Sequence, residues 1–216
     1  MQTLSVVGQL LPLLLLYLAV LFALAYPLGL YVSTLIGQPA AWMQRLDHSI
    51  LPHCGVDLHQ SMTWKQYLWA MVGFNLLGVC FLYALQLLQA VLPLNPMDAP
   101  APTWHSALNT AVSFVTNTNW QGYAGETAVS YTTQMIGLTV QNFLSAATGM
   151  AVALVLIRAL TQSRQRYVGN AWVDLWRINV YVLLPLSALL ALLLIGQGVI
   201  QNFAAPVSVT TLEGAT

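Results

Sequence analysis

The chain has 216 residues, of which only six are Lys or Arg and six are Asp or Glu. Hydrophobic residues make up 58% of it and the mean hydropathy is +0.70, values well outside the range of soluble globular domains. The formal net charge is zero and the sequence pI is about 6.9, so there is no basic balance that would suit nucleic acid. Composition therefore excludes a soluble domain and a nucleic-acid-binding protein, and it indicates an integral protein of the lipid bilayer.

Four apolar stretches are long enough to cross a bilayer, since each exceeds the roughly 20 residues that a membrane-spanning helix needs. They cover approximately residues 10–35, 64–92, 131–160 and 178–203. We therefore expect an all-α polytopic membrane protein with about four transmembrane helices. We expect three parts: residues 1–63, an N-terminal helix and loop; residues 64–160, a helix, pore loop, helix repeat; and residues 161–216, the start of a second repeat that is cut short.

A moderately apolar segment, residues 103–115, lies between the second and third spans. As a helix it would reach roughly 20 Å, which is too short for a hydrocarbon core of roughly 30 Å. Amides, hydroxyls and glycines follow it in the run TNTNWQGYAGE, residues 116–126. Irregular backbone at membrane depth is tolerated only when it is buried in protein or lines a watery path. The pattern predicts a re-entrant pore helix followed by a selectivity-filter loop.

A filter for a weakly hydrated cation replaces the hydration shell with several oxygen dipoles and needs no full negative charge. The backbone carbonyls of Thr116, Asn117, Thr118 and Asn119 are the predicted ligands. Gln121 could offer a side-chain carbonyl at the mouth. We expect Gly122, like Gly125, to supply backbone conformations that other residues avoid. The alternative is an ordinary polar external loop capped by glycines.

The third span carries a polar stripe, because several polar residues recur at spacings that place them on one helix face. Two interpretations remain open: these side chains line the pore, or they form hydrogen bonds between helices. In the second span Asn75, Gln86 and Gln89 are expected to serve as such interhelical contacts. The candidate pore-lining residues are Gln134, Gln141, Ser145 and Thr148, with Asn142 alongside.

The basic residues indicate an orientation. Arg45 and Lys65 lie between spans one and two, and the other four lie between spans three and four, whereas residues 92–131 have none. By the positive-inside rule both basic loops are cytoplasmic, so the N-terminus and the filter loop face the exterior.

The sequence contains no recognisable metal-binding or catalytic motif. One loop gathers His, Cys and Asp residues, but their spacing fits no familiar metal site, and contact with a partner is the preferred interpretation. We expect no metal other than potassium. The chain has no phosphate-cradling glycine loop and no nucleophile and base motif, so we expect no catalytic site of its own. The loop residues are Asp47, His48, His53, Cys54, Asp57 and His59.

Three runs of sequence carry a resemblance to a known family. They are TNTNWQGYAGE, the preceding SALNTAVSFV and the closing PVSVTTLEGAT. Together they resemble the N-terminal part of the potassium-binding A subunit of the Kdp-type potassium-transporting P-type ATPase, and the resemblance covers essentially the whole chain. That family is similar to potassium channels and has four helix, pore loop, helix repeats. The resemblance implies that residues 116–119 form the first of four filter strands and that Gln121 contributes to potassium selectivity.

The resemblance also implies partners, a ligand and a location. Potassium would bind in the filter from outside and pass through a tunnel to an ATP-hydrolysing B subunit, so ATP would act only on a partner. A C subunit, a very small membrane subunit and the remaining repeats of the A subunit complete the expected assembly, in the bacterial cytoplasmic (inner) membrane. Because this chain has one filter loop, we expect it to be an N-terminal fragment or a truncated product.

Two rival functions stay open. The first is a passive or ion-coupled potassium channel or transporter of the same superfamily, which would need only an ion gradient. The second is a structural membrane subunit whose polar loop docks a partner. Dependence of uptake on ATP and partner subunits separates the pump from the first rival, and binding of potassium over sodium excludes the second.

Overall fold

The computed structural model describes residues 2–161, 166–200 and 202–205. It divides the chain into two compact units, Met1–Gly55 and Val56–Thr216. The closing run PVSVTTLEGAT, which carries part of the family resemblance, lies outside the described residues.

The first unit is helical. Helix α1, Gln2–Gly37, contains both Pro12 and Pro27 and continues past them. Helix α2, Ala41–Ile50, is followed by a short 3₁₀ turn, Leu51–Cys54, which ends at Gly55 with φ +75°.

The second unit holds the remaining helices and one short pair of strands. Helix α3, Trp64–Leu87, starts with a capping box, in which the Gln66 backbone N–H donates to Thr63 Oγ1 and the Thr63 N–H donates to Gln66 Oε1 at 2.8 Å. The helices are α3 (Trp64–Leu87), α4 (Trp104–Val115), α5 (Gly125–Ala128), α6 (Val140–Thr161), α7 (Ala171–Arg177) and α8 (Leu184–Gly196), with a 3₁₀ turn at Gln89–Val91 and π-helical segments at Thr133–Thr139 and Ile178–Leu183.

Among the described residues four helical stretches are long and apolar enough to cross a membrane: Leu10–Gly37, Trp64–Leu87, Thr133–Thr161 and Ala171–Gly196. This confirms the predicted all-α polytopic class. The predicted bounds of two spans are wrong. Helix α3 ends at Leu87 rather than near residue 92, and the fourth helical stretch begins at Ala171 rather than residue 178. The second error has a physical cause: Arg177, one of the four basic residues counted between spans three and four, is the last residue of helix α7, and Asp174 in the same helix is paired with Arg158.

Helices α3, α6 and α7 pack around one apolar core. Ala147 and Ala151 of α6 are fully buried against Tyr67 and Met71 of α3, since small side chains let helix backbones approach closely. A second core lies beneath the short helix α4. Its buried members are Leu82, Ala111, Phe114, Val129 and Leu138.

Two short strands of the second unit pair through their backbones next to the start of α3. Strand β1, Met62–Thr63, is antiparallel to strand β2, Tyr167–Gly169. Asn170 follows β2 and caps α7, because its Oδ1 accepts the backbone N–H groups of Trp172 and Val173. Its side-chain amide also donates to the carbonyls of Asp57 and Gln60, at 3.1 and 3.0 Å, so the entry to α3 and the entry to α7 are tied together.

Candidate functional site

Helix α4 is the predicted pore helix. Its 12 residues reach about 18 Å at about 1.5 Å per residue, so it cannot span a bilayer. It is held against α3 by Gln86, whose side-chain amide donates to the Ala107 carbonyl at 3.0 Å. Thr103 occupies the N-cap position, but its side chain makes no capping hydrogen bond; its hydroxyl lies 3.1 Å from His105 Nε2 instead.

The chain turns sharply where α4 ends, and the turn is built from backbone hydrogen bonds to the last turn of the helix. We call residues 116–120 the filter loop. The Ser113 carbonyl accepts the N–H groups of Thr118 at 2.9 Å and Asn119 at 3.2 Å, and the Phe114 carbonyl accepts the Asn117 N–H at 3.2 Å. The Trp120 N–H donates to Ser113 Oγ at 2.5 Å. Successive N–H groups of the loop therefore point back at the helix end.

This arrangement fixes where the loop carbonyls face. In a trans peptide unit the carbonyl of one residue points opposite to the N–H of the next. Because those N–H groups face α4, the carbonyls of Thr116, Asn117, Thr118 and Asn119 face away from it. All four residues are exposed in this chain. The loop thus presents four neutral carbonyl oxygens on the side that faces away from α4.

The backbone dihedrals explain how this is achieved. Thr116 has φ −82° and ψ 6°, whereas Asn117 and Asn119 have φ of +59° and +54°. Residues of alternating handedness line up their N–H groups as a concave nest, which suits an electronegative atom. Here that atom is the Ser113 carbonyl oxygen. Asparagine tolerates positive φ better than most residues, which accounts for its place at both positions.

Side chains brace the loop rather than extend beyond it. The Thr116 hydroxyl donates to the Val112 carbonyl at 2.9 Å and lies 3.0 Å from the Thr118 hydroxyl. From the third span, Ser145 Oγ donates to Asn117 Oδ1 at 3.3 Å. Neutral hydrogen bonds of this kind each contribute about 1 kcal/mol.

The predicted mouth residues are placed differently from one another. Gln121 is half-buried, and its Oε1 is buried without a hydrogen-bond partner in the described structure. Gly122 is exposed and has open space where a side chain would begin. The expectation that Gly122 and Gly125 supply special backbone conformations is wrong, because neither has positive φ. The two asparagines take that role.

The return from the loop is held by side-chain amides. The Gln134 side chain donates to the Gly125 carbonyl at 3.1 Å, and the Gln89 side chain donates to the Ala128 carbonyl at 3.0 Å. Tyr123 donates to Gln86 Oε1 at 3.4 Å. Burial raises the pKa of the Tyr123 phenol, so the hydroxyl stays protonated and remains a donor. Gln86 and Gln89 thus make the contacts between elements that were expected of them. Asn75 does not, because its side-chain amide donates to the Met71 carbonyl within α3 at 2.8 Å.

The predicted stripe on the third span divides into two groups. Ser145 contacts the filter loop and Gln134 contacts its return. Gln141 is buried and packs instead against Gly78 of α3, where an added Cβ would lie 2.9 Å from its Oε1. It also lines an apolar groove of about 240 Å³ between α3 and the third span. Thr148 is half-buried, and its hydroxyl donates to the Leu144 carbonyl at 2.9 Å, while Asn142 is exposed.

One residue of the site was missed from the sequence. Ser113 is 8% exposed, and both its carbonyl and its hydroxyl accept loop N–H groups. Its sequence signal is a lone serine among apolar residues, two positions before the helix ends. The polar loop near His53 contains no metal-holding group of three or more His, Cys, Asp or Glu among the described residues.

These features define a class of protein: a polytopic membrane protein in which a short helix between two spans is followed by a loop whose carbonyls face away from that helix. The chain belongs to the family described as the potassium-transporting ATPase A subunit, whose sequence model matches residues 15–216.

Curated relatives agree with this family. A protein from Edwardsiella ictaluri named potassium-transporting ATPase potassium-binding subunit is 55% identical over 202 residues, which are 93% of this chain and 36% of that protein. Proteins of the same name from Serratia proteamaculans and Laribacter hongkongensis are 51% and 52% identical, over 92% and 93% of this chain and 35% and 36% of theirs. The chain thus spans about a third of the length of the relatives it matches.

Proposed function

We propose that residues 116–119 form one ligand strand of a potassium filter, in the potassium-binding subunit of an ATP-driven uptake complex. The observation that carries the proposal is the direction of the loop peptides: their N–H groups are used by the end of α4, so their carbonyls are left for a cation. The relatives' name, which includes both potassium binding and ATPase, supports the choice of ion and of energy source.

The chemistry of the loop suits potassium. A weakly hydrated monovalent cation exchanges its water for several neutral oxygens, and a carboxylate would hold it too firmly for release. The nearest acidic residue in sequence, Glu126, lies beyond the loop in α5. The end of α4 adds a negative dipole of roughly half a charge that favours a cation just beyond it.

One strand supplies about a quarter of a fourfold cage. The proposal therefore includes the remaining repeats of the A subunit, which would present equivalent strands around the same axis. It also includes the B subunit as the site of ATP hydrolysis, a C subunit and a small membrane subunit. Potassium would enter the filter from outside and pass within the membrane to the B subunit.

The orientation belongs to the same proposal, with the N-terminus and filter loop outside the bacterial inner membrane. Cysteine labelling tests it in intact cells, after Cys54 and Cys80 are replaced by serine. An impermeant thiol reagent should label Asp98→Cys and leave Gln162→Cys unlabelled until the membrane is permeabilised. Position 162 lies outside the described residues and is chosen for its sequence position beside the basic loop. The reverse labelling would overturn the orientation.

The test of function is a potassium titration of the complete complex, with ATP hydrolysis as the readout. Gln121→Arg places a permanent cation near the loop, which at about 4 Å and an effective dielectric of about 20 opposes potassium by roughly 4 kcal/mol before screening. Solvent reduces this, so half-saturating potassium should rise roughly tenfold or more.

Gln121→Glu is the matched control of similar size, and we expect it to change affinity much less and to loosen selectivity. Measurements are compared at equal abundance of the complex. An unchanged half-saturation for Gln121→Arg would remove Gln121 from the potassium site. Uptake that persists without ATP or the partner subunits would favour a passive or ion-coupled transporter. Absence of any preference for potassium over sodium would favour a structural subunit.

A further inference from the structure

Ser113 holds the filter loop by two separate atoms. Its backbone carbonyl accepts the N–H groups of Thr118 and Asn119, an arrangement that any residue at this position could provide. Its hydroxyl accepts the Trp120 N–H at 2.5 Å, which only a side chain with an acceptor can provide. The two functions are therefore separable by mutation.

The hydroxyl bond controls one particular peptide unit. The Trp120 N–H and the Asn119 carbonyl belong to the same planar group, so fixing one fixes the other. Asn119 already has φ +54°, which is unfavourable for a non-glycine residue unless its surroundings impose it. Without the Ser113 acceptor, this peptide unit is freer to rotate, and the Asn119 carbonyl can turn away from the direction of the other loop carbonyls.

The position of Ser113 makes the bond rigid. The residue lies in the last turn of α4, between Val112 and Phe114, and is 8% exposed. Water therefore reaches the hydroxyl poorly. The bond from the Trp120 N–H to Ser113 is part-buried, so loss of the acceptor removes the intramolecular partner of this N–H and favours other backbone conformations.

We propose that Ser113 is a positioning residue for cation selectivity, whose hydroxyl sets the direction of the Asn119 carbonyl through the Trp120 N–H. The inference rests on the proposed function, since it concerns a ligand of the same filter. Ser113 does not itself touch the ion. Its effect is on the geometry of the carbonyl oxygens around the ion, and therefore on which ionic radius fits best.

The test compares Ser113→Ala with Ser113→Thr in the complete complex. Alanine is small and favours helix, so it removes the acceptor without disturbing α4. Threonine restores the hydroxyl. Ser106→Ala is the matched control, because it removes a hydroxyl from the same helix about two turns before Ser113. The readouts are half-saturating potassium and the ratio of half-saturating rubidium to potassium, from cation-stimulated ATP hydrolysis at equal complex abundance.

We expect Ser113→Ala to raise half-saturating potassium by about three- to tenfold, the effect of one lost neutral hydrogen bond. The rubidium to potassium ratio should change as well, which a general loss of stability would not produce. Ser113→Thr should recover both values, and Ser106→Ala should change neither. If Ser113→Ala does not accumulate, Ser113→Cys should give an intermediate shift, because sulfur is a weaker acceptor.

Gln121→Arg separates the two proposals in the same experiment. If Gln121→Arg weakens potassium affinity while Ser113→Ala or Ser113→Cys leaves affinity and selectivity unchanged, the role assigned to Ser113 is overturned and the filter stands. If neither position affects potassium, the filter is overturned and the Ser113 inference with it.

Discussion

The two ends of the second unit stabilise irregular backbone in opposite ways. At the filter loop, neutral hydrogen bonds from Ser113 fix the chain and leave a row of carbonyls exposed. At the other end, Arg158 forms a bidentate ion pair with Asp174, with distances of 2.6 and 2.9 Å. Arg158 also donates to the Val168 carbonyl, and Tyr67 donates to Asp174 at 3.0 Å. We call Arg158, Asp174, Tyr67 and Gly169 the Arg158 clamp.

The difference follows from what each end has to leave free. In the Arg158 clamp each charged group meets an opposite charge and further hydrogen-bond partners, as charges in an apolar setting require. The side chains are only 19% and 7% exposed. At the filter loop there is no charged side chain among residues 116–120, and in our proposal its carbonyls are left to bind and release a cation. We therefore expect clamp mutations to reduce stability and loop mutations to change ion binding.

The largest effect should come from breaking the clamp. Arg158→Ala leaves the Asp174 carboxylate buried without its counter-charge, which typically costs about 3–5 kcal/mol in folding free energy. The full-length subunit should accumulate poorly in membranes and unfold at a lower temperature. The molecules that do fold should keep normal potassium affinity in the assembled complex.

Two variants sharpen this test. Arg166→Ala removes an exposed positive charge from the same region and should have little effect on stability. Arg158→Met combined with Asp174→Leu removes both charges and should recover much of the stability lost in Arg158→Ala. Equal stability of the Arg158→Ala and Arg166→Ala proteins would show that the clamp is not a stabilising feature.

Gly169 gives the next largest effect. It has φ +111°, and a Cβ at this position would overlap Arg158 Nη1. Gly169→Ala should therefore both strain the backbone and displace the guanidinium, lowering the free energy of unfolding by roughly 1–3 kcal/mol. Gly73→Ala is the control, because Gly73 lies within α3 with open space around it. Thermal unfolding of the two variants side by side checks the prediction, and similar midpoints would contradict it.

Substitution of Gly122 should have the smallest effect. It has open space at the Cβ position and no positive φ, so Gly122→Ala should change half-saturating potassium by less than about twofold and stability by less than about 0.5 kcal/mol. The potassium titration used for Gln121→Arg measures this. A large loss of affinity would restore the glycine requirement that the sequence suggested.

The fold was largely predictable because hydropathy decides it. Four apolar stretches and one short segment were recognised from composition, and the short segment became α4. The start of the fourth helical stretch was missed because Arg177 was counted with the basic loop before it, whereas it ends helix α7. The same helix also holds Asp174, whose charge is neutralised by Arg158, and the sequence spacing of 16 residues does not predict that pairing.

The position of the polar loop was predictable from the sequence, but its detailed geometry was not. Amides and hydroxyls at residues 116–119 indicated where the loop lies, since such groups are costly beside lipid. What orients the loop is backbone geometry: the positive φ of Asn117 and Asn119 and the acceptors of Ser113. Glycine is the residue most often found at unusual backbone dihedrals, so the sequence predicted them at Gly122 rather than at the asparagines. The lone serine near the end of an apolar helix is only a weak signal, because the sequence does not show that its hydroxyl accepts a loop N–H.

The most direct measurement of the central claim compares Asn119→Gly with Asn119→Val in potassium titrations of the complete complex. Glycine adopts φ near +54° freely, whereas a β-branched residue strongly disfavours it. If the backbone carbonyls are the ligands, Asn119→Gly should keep half-saturating potassium within about threefold and Asn119→Val should raise it about tenfold or more at equal abundance. Equal losses in both variants would contradict the account, because they would show that the ion requires the Asn119 side chain rather than the direction of the backbone.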